Sequence, residues 1–211
     1  MGLYFITYIV GRAANFLSKQ IGNWFWERYA LAYCRVRKNE IHLESKSVGF
    51  HGRCLLAVSP HSQVSIGENV VINSGTHTVS PSVSKISVGG GSLSIGQNTG
   101  ISSTVIICKE RITIGANVNI GAGCLILDSN MHSTDWRVRA NRKMDSPQKA
   151  AKAPIIIEDN VFIGARCIIN KGVTIGRCSM IAAGSVVVKD LPANCIAGGN
   201  PCKVIKYISD N

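Results

Sequence analysis

The chain has 211 residues, enough for one large domain or two small ones. Hydrophobic residues at 45% against 17% charged exclude intrinsic disorder, and 21 glycines without a G-X-Y period exclude collagen while calling for many backbone corners. A net charge of +11 admits nucleic acid, anionic lipid or a phosphorylated ligand as partner, and its distribution narrows the choice: residues 1–60 carry +5 and residues 133–153 carry +4.

From the N-terminus, apolar residues Leu3 to Val10, Ala14, Leu17, Ile21 and Phe25 recur every three or four positions, and Trp24, Trp26 and Tyr29 widen that face. This predicts a helix over residues 3 to about 33, interruptible at Gly11 and Gly22. Two roles suit it: a cap on the rest of the fold, or a helix lying on a membrane surface. The run Leu3–Val10 has no basic residue before it and no small-residue cleavage site after it, and it is too short to span a bilayer. Ile6 departs from the myristoylation pattern. The expectation is a cytoplasmic protein, peripheral on the inner membrane surface if the helix meets lipid. Residues 1–60 form this N-terminal segment, and residues 61–211 the main domain.

From about residue 64 the period changes to six. Val161, Cys167, Val173, Ser179 and Ser185 form one register, and Ile163, Ile169, Ile175, Ile181 and Val187 run two places later. The same pair of registers holds in Ile112, Val118 and Cys124 with Ile114, Ile120 and Ile126, and in Val64 and Val70 with Ile66 and Ile72. Each unit is a short apolar-x-apolar strand and a corner, often glycine: Gly67, Gly96, Gly115, Gly121, Gly164, Gly176 and Gly184. One such unit cannot bury its apolar side alone, so units must wind and stack as a parallel β-helix of hexapeptide repeats. Three sides of six residues make a triangular coil, and the region yields about six or seven coils. The tract Asn73–Lys85 blurs the register and predicts a loop or irregular coil. The step of seven from Val105/Ile107 to Ile112/Ile114 predicts a one-residue insertion.

After Ile126 the period stops at Asp128 and resumes at Ile155. A polar, basic excursion of this length from a regular solenoid is expected to be functional or disordered. Eight cysteines with no C-x-x-C and no cluster with histidine are expected to be reduced and mostly buried.

The repeats, D-x-x-x-H from Asp128 to His132 before the excursion, the runs IEDNVFIGARCIINKGVTIG and IAAGSVVVKDLP, and the ending GGNPCKVIK resemble the hexapeptide acyltransferases. The nearest resemblance is to O-acetyltransferases acting on maltose, galactosides, nodulation factors and capsular or lipopolysaccharide sugars. It covers roughly residues 64–206. It implies an all-β, left-handed parallel β-helix, a homotrimer with active sites between subunits, acetyl-coenzyme A as acyl donor, and a sugar or glycan-precursor acceptor.

His132 matches the family's catalytic base, and imidazole is suited to removing a hydroxyl proton near neutral pH. Asp128, or a backbone carbonyl, could fix its tautomer; Asp128 could equally be a turn cap. Asn130, Asp135 and Trp136 border the same place and could meet a sugar. For the donor, the resemblance points to Phe162, where the family usually has Trp, to the small corner residues Ala165, Ala183 and Gly184, and to Val188, where Thr is common. Lys189, Lys203 and Lys206 fall where the family's cations meet the nucleotide phosphates. Arg137, Arg139, Arg142 and Lys143 in the excursion suit an acceptor bearing phosphate or carboxylate.

Hexapeptide β-helices also host zinc-dependent carbonic anhydrases, but that chemistry needs three histidines around an open position, and His42, His51, His61 and His77 lie upstream and out of register with His132. No metal is expected. Cys124 and Cys167 stand at inward repeat positions, where a thiol behaves as a small hydrophobe rather than a nucleophile. An N-acyltransferase acting on an amino or nucleotide sugar would use the same parts, and a β-helix scaffold without coenzyme A binding is the non-catalytic alternative. No nucleic-acid recognition motif is visible, and nucleic acid is not an expected partner.

Overall fold

The computed structural model describes residues 22, 24–45, 47–75, 82–146 and 150–209. The expected helix before Gly22, with its break at Gly11, lies outside the described residues. Residues 24–36 are helical (α1), three residues beyond the expected end.

Strands β1 (Ile41–Leu43), β2 (Gly49–His51) and β3 (Leu55–Val58) form the first turn of a parallel β-helix. Five more turns follow. They are β4 (Gln63–Ile66), β5 (Val71–Asn73), β6 (Lys85–Val88); β7 (Ser92–Ile95), β8 (Gly100–Ser102), β9 (Val105–Cys108); β10 (Arg111–Ile114), β11 (Asn119–Ile120), β12 (Leu125–Leu127); β13 (Ile155–Ile157), β14 (Phe162–Ile163), β15 (Ile168–Ile169); and β16 (Thr174–Ile175), β17 (Met180–Ile181), β18 (Val186–Val187). Each strand pairs in parallel with the third one along, giving faces A (β1-β4-β7-β10-β13-β16), B (β2-β5-β8-β11-β14-β17) and C (β3-β6-β9-β12-β15-β18). On face B, β19 (Cys195–Gly198) continues the stack, and β20 (Lys203–Tyr207) turns back antiparallel on it.

Both predicted inward registers are buried: Val161, Cys167, Val173, Ser179 and Ser185, and Ile163, Ile169, Ile175, Ile181 and Val187, are each 0–1% exposed. A narrow prism favours small or β-branched side chains on its axis, with Leu93 and Phe50 as larger exceptions, and each fully buried Ile or Val contributes about 1.5–3 kcal/mol of apolar burial. At the edge from face A to face B the chain turns through Asn69, Asn98, Asn117 and Asn160, all left-handed at φ 55–58°. Asparagine tolerates that conformation, and the side chains ladder from Asn69 to Asn98 to Asn117 through 3.2 Å hydrogen bonds.

The structure corrects two expectations and extends a third. The β-helix begins at Ile41, so the division at 60/61 falls inside it. Phe50 and Cys54 fill the first coil beneath α1, whose Ala30 and Cys34 join the core. Tyr33 Oη accepts from Val58 N at 3.0 Å, and Arg53 lies 4.8 Å over the Trp26 ring. At β9 the inward residues are Ile106 and Cys108, not Val105 and Ile107. The corner at Ser102–Thr104 is one residue short, with Ser103 at φ 40°, and the expected insertion lies at the longer Lys109–Glu110 corner before Ile112. Of the Asn73–Lys85 tract, Asn73 ends β5 and Lys85 begins β6, and the described residues just inside them are joined, Ser84 N donating to Ser74 Oγ at 2.8 Å and Gly75 N to Ser82 O at 3.1 Å.

Candidate active site

The excursion leaves the edge between faces C and A after β12 and returns at β13. Its feet zip together: Asn130 N donates to Ala151 O at 3.0 Å, Ala153 N to Asp128 O at 3.1 Å, and Ser129 bridges Lys152 antiparallel. Asp128 is fully buried, and its carboxylate accepts from Lys109 N (2.7 Å) and Glu110 N (2.8 Å) of the preceding corner. Both oxygens are committed to that turn. The expected catalytic role of Asp128 is thereby corrected: it anchors the root of the excursion and does not hold the imidazole.

The partner of His132 is Asp145. His132 Nδ1 stands 2.7 Å from Asp145 Oδ2, and Asp145 Oδ1 accepts from Ser133 N at 2.9 Å. The Ser133 amide, followed by the imidazole, holds the Asp145 carboxyl below the ordinary carboxylate range. An ionised carboxylate only accepts, so Nδ1 carries the proton, and in the neutral imidazole the lone pair is left to Nε2. The His132 side chain is 66% exposed and that of Asp145 10%, so the carboxylate is sheltered and the imidazole open to a reactant. Asp145 is placed by a turn in which Met144 N and Asp145 N both donate to Asn141 O at 2.9 Å. Sequence spacing gave no sign of it, because twelve residues with no repeat register separate it from His132.

Between them, helix α2 (Trp136–Arg139) is capped by Asp135, whose side chain accepts from Arg137 N at 2.9 Å. Arg139 Nη1 braces the loop through Ser133 O and Thr134 O at 2.7 and 2.8 Å. Trp136, 64% exposed, lies beside His132 in sequence with Arg137 5.3 Å over its ring, and Asn130 is exposed at the loop's foot. Of the expected acceptor residues, then, Asp135 serves as a helix cap while Trp136 and Asn130 are open.

The expected donor residues fall into two groups on opposite sides of face C. Ala165, Ala183 and Gly184 stack along the edge between faces B and C, where Gly184 N donates to Ala165 O at 2.8 Å. The coils approach closely there: a Cβ on Gly164 would stand 2.6 Å from Ala183 N, and Gly184 has φ +74°. Phe162 faces outward on face B beside Met180, and Lys203 and Lys206 stand exposed on β20. Val188 and Lys189 lie instead on the edge between faces C and A, where the excursion departs.

Cys124 and Cys167 are buried at 1% and 0%, and the Cys167 hydrogen bond, together with burial, pushes the Cys124 thiol up. Burial likewise raises Cys54 to about 12. Among the described residues every cysteine is free, only Cys178 is exposed, and no three donor side chains gather in a metal-holding group.

Residues 154–189 match the family described as hexapeptide repeat of succinyl-transferase. The galactoside O-acetyltransferase of Escherichia coli K12 is 40% identical over 122 residues, 57% of each chain. A maltose O-acetyltransferase from Clostridium difficile 630 is 31% identical, with a TM-score of 0.51 over 74% of this chain and 72% of that one. A hexapeptide-repeat acetyltransferase from Vibrio cholerae, solved with acetyl-coenzyme A, is 29% identical, with a TM-score of 0.52 over 74% and 72%. The chain belongs to the hexapeptide-repeat acyltransferases. It spans little more than half the length of the curated galactoside relative.

Proposed function

We propose that this chain transfers an acetyl group from acetyl-coenzyme A to a sugar hydroxyl of a glycan precursor, with His132 as general base. The observation that carries this reading is the 2.7 Å contact between His132 Nδ1 and the sheltered Asp145, on an imidazole that is otherwise largely exposed. Nε2 takes the proton of the acceptor hydroxyl as its oxygen attacks the thioester carbonyl carbon. The C–S bond breaks, the imidazolium returns the proton to the departing thiolate, and backbone amides near the site steady the oxyanion. No acyl-enzyme forms, in keeping with the burial of Cys124 and Cys167.

A homotrimer suits this chemistry. His132, Val188 and Lys189 share one edge of the prism, while Ala165, Ala183 and Gly184 line another across face C. In closed cyclic symmetry the first edge of one copy can meet the second edge of its neighbour, so that one thioester reaches both. The pantetheine arm would lie along the small corner residues beside Phe162, and Lys189, Lys203 and Lys206 would meet the phosphates.

Calorimetric titration with acetyl-coenzyme A, followed by an acceptor panel of neutral, amino and phosphorylated sugars, tests the function. Binding of the donor and transfer to a hydroxyl are expected. Failure to bind would favour a scaffold, and transfer only to amino sugars would make the chain an N-acyltransferase.

Contact with a membrane rests on α1. Trp24, Phe25 and Tyr29 are 47–59% exposed beside Arg28 and Arg35, the pairing of ring and cation that suits an anionic lipid interface. No helix among the described residues is long and apolar enough to cross a bilayer. On this reading the protein works at the cytoplasmic face of the inner membrane. Sedimentation with phosphatidylglycerol vesicles but not with phosphatidylcholine vesicles is expected, and equal recovery from both would refute it.

A further inference from the structure

Face A carries a groove of about 430 Å³ across the first four coils. Its floor is an outward column in strict register: His42 pairs with Ser65, Ser65 with Ser94, and Ser94 with Thr113. A second column runs Gln63, Ser92 and Arg111. Successive coils place these groups about 4.8 Å apart. The polar column ends at the next coil, where Thr113 pairs with Ile156 on the strand by which the excursion returns.

The charges at the rim are unequal. Glu40 is engaged by Arg37 at 3.6 Å, whereas Lys38 and Arg111 have no ion-pair partner among the described residues. Arg111 directly follows the Lys109–Glu110 corner that Asp128 caps, so one end of the groove adjoins the root of the loop bearing His132. The other end lies beneath the turn after α1.

We infer that this groove is a track for an anionic sugar chain, holding the part of the acceptor that extends beyond the reacting hydroxyl. The inference rests on the sugar-acylating reading given above. Serine and threonine hydroxyls both donate and accept, as sugar hydroxyls do, and repeat along the groove with the coil spacing. The Arg111 guanidinium supplies the planar fork that pairs with a carboxylate or phosphate. A subunit interface would place apolar or aromatic anchors here, and the floor of face A has none. Single-stranded nucleic acid would need stacking platforms, which are also missing from the floor.

The test measures binding and transfer separately on the full chain. Trigalacturonic acid, maltotriose and inorganic phosphate are titrated into the wild type, Arg111→Gln and Ser94→Trp, and acetyl transfer to a monosaccharide is followed in parallel. Trigalacturonate is expected to bind more tightly than maltotriose, phosphate to compete with it, and each substitution to weaken it by about tenfold or more, the effect of losing one charged hydrogen bond or of filling the floor. Monosaccharide transfer should stay unchanged. Equal binding of the acidic and neutral chains, no binding by the wild type, or unchanged binding in Arg111→Gln would overturn the inference. So would dissociation of the oligomer by Ser94→Trp, which would make the groove a contact between copies. Trigalacturonate binding without any acetyl transfer would leave the track standing and remove the acyltransferase reading, while transfer without binding would do the reverse.

Discussion

The coils and the excursion solve opposite problems. In the coils two side chains of every six, two positions apart, are buried on a common axis, so position six residues on repeats position one, and identity is dictated by space. Between Asp128 and Pro154 only Asp128, Ser129 and Ala150 are buried among the described residues, and the segment is held by its own polar contacts: a cap at Asp135, Arg139 on two carbonyls, and Asp145 on Ser133 and His132. The coils supply a rigid lattice and the excursion an irregular, polar loop that holds His132, and the two join at the buried Asp128.

The sharpest way to break this contrast is to place the same charge in both regions. Ile169→Asp, on the axis of the prism, is expected to cost on the order of 3–5 kcal/mol or more through an unpaired buried charge. Val138→Asp, half-buried on α2 of the excursion, should stay within about 1 kcal/mol. Chemical denaturation of the two variants checks this, and comparable losses would erase the distinction.

Asp145→Asn tests the excursion from inside. Its side chain keeps a similar shape but no longer fixes the Nδ1 proton by charge, so turnover should fall by about 10–100-fold with donor binding and melting temperature near wild type. A matching fall in stability would make Asp145 a structural brace only. At the stacked corner, Gly164→Val should cost about 1–3 kcal/mol, because the added Cβ meets the Ala183 backbone rather than a movable side chain. Thermal melting reads that loss.

The smallest effect is in pH. The Asp145 carboxyl is held below its ordinary range, so its hold on the excursion is complete above that range and is lost as pH falls through the lowered value. Amide exchange at Ser133 should therefore quicken only below about pH 4, while coil amides stay protected. Quickening already complete at pH 5–6 would show that a different group holds the loop.

The regular coils were legible because a narrow prism forces a period of six on the sequence, and the excursion because that period stops and resumes. The first coil escaped notice because it lies under α1, where Phe50 takes an inward place that deeper coils fill with β-branched residues. The run Val105–Cys108 is apolar at all four positions, so periodicity could not decide its parity, and only the short corner at Ser102–Thr104 fixes it. His132 was singled out by the family resemblance together with its position at the mouth of the excursion. Asp145 was not, since the contact depends on how an irregular loop closes, and no local spacing encodes that. Asp128 was legible as either a turn cap or a catalytic partner, and its two short bonds to backbone amides decide for the cap. The left-handed asparagines at Asn69, Asn98, Asn117 and Asn160 were a readable sign of the corners that glycine alone did not mark.

The most direct measurement is acetyl transfer by His132→Ala, followed as thiol release from acetyl-coenzyme A with a sugar acceptor and set beside calorimetric donor binding by the same variant. Loss of the base is expected to lower turnover by about two to four orders of magnitude while donor affinity and the oligomer remain as in the wild type. Turnover close to wild type would contradict the assignment of His132 and with it the proposed mechanism.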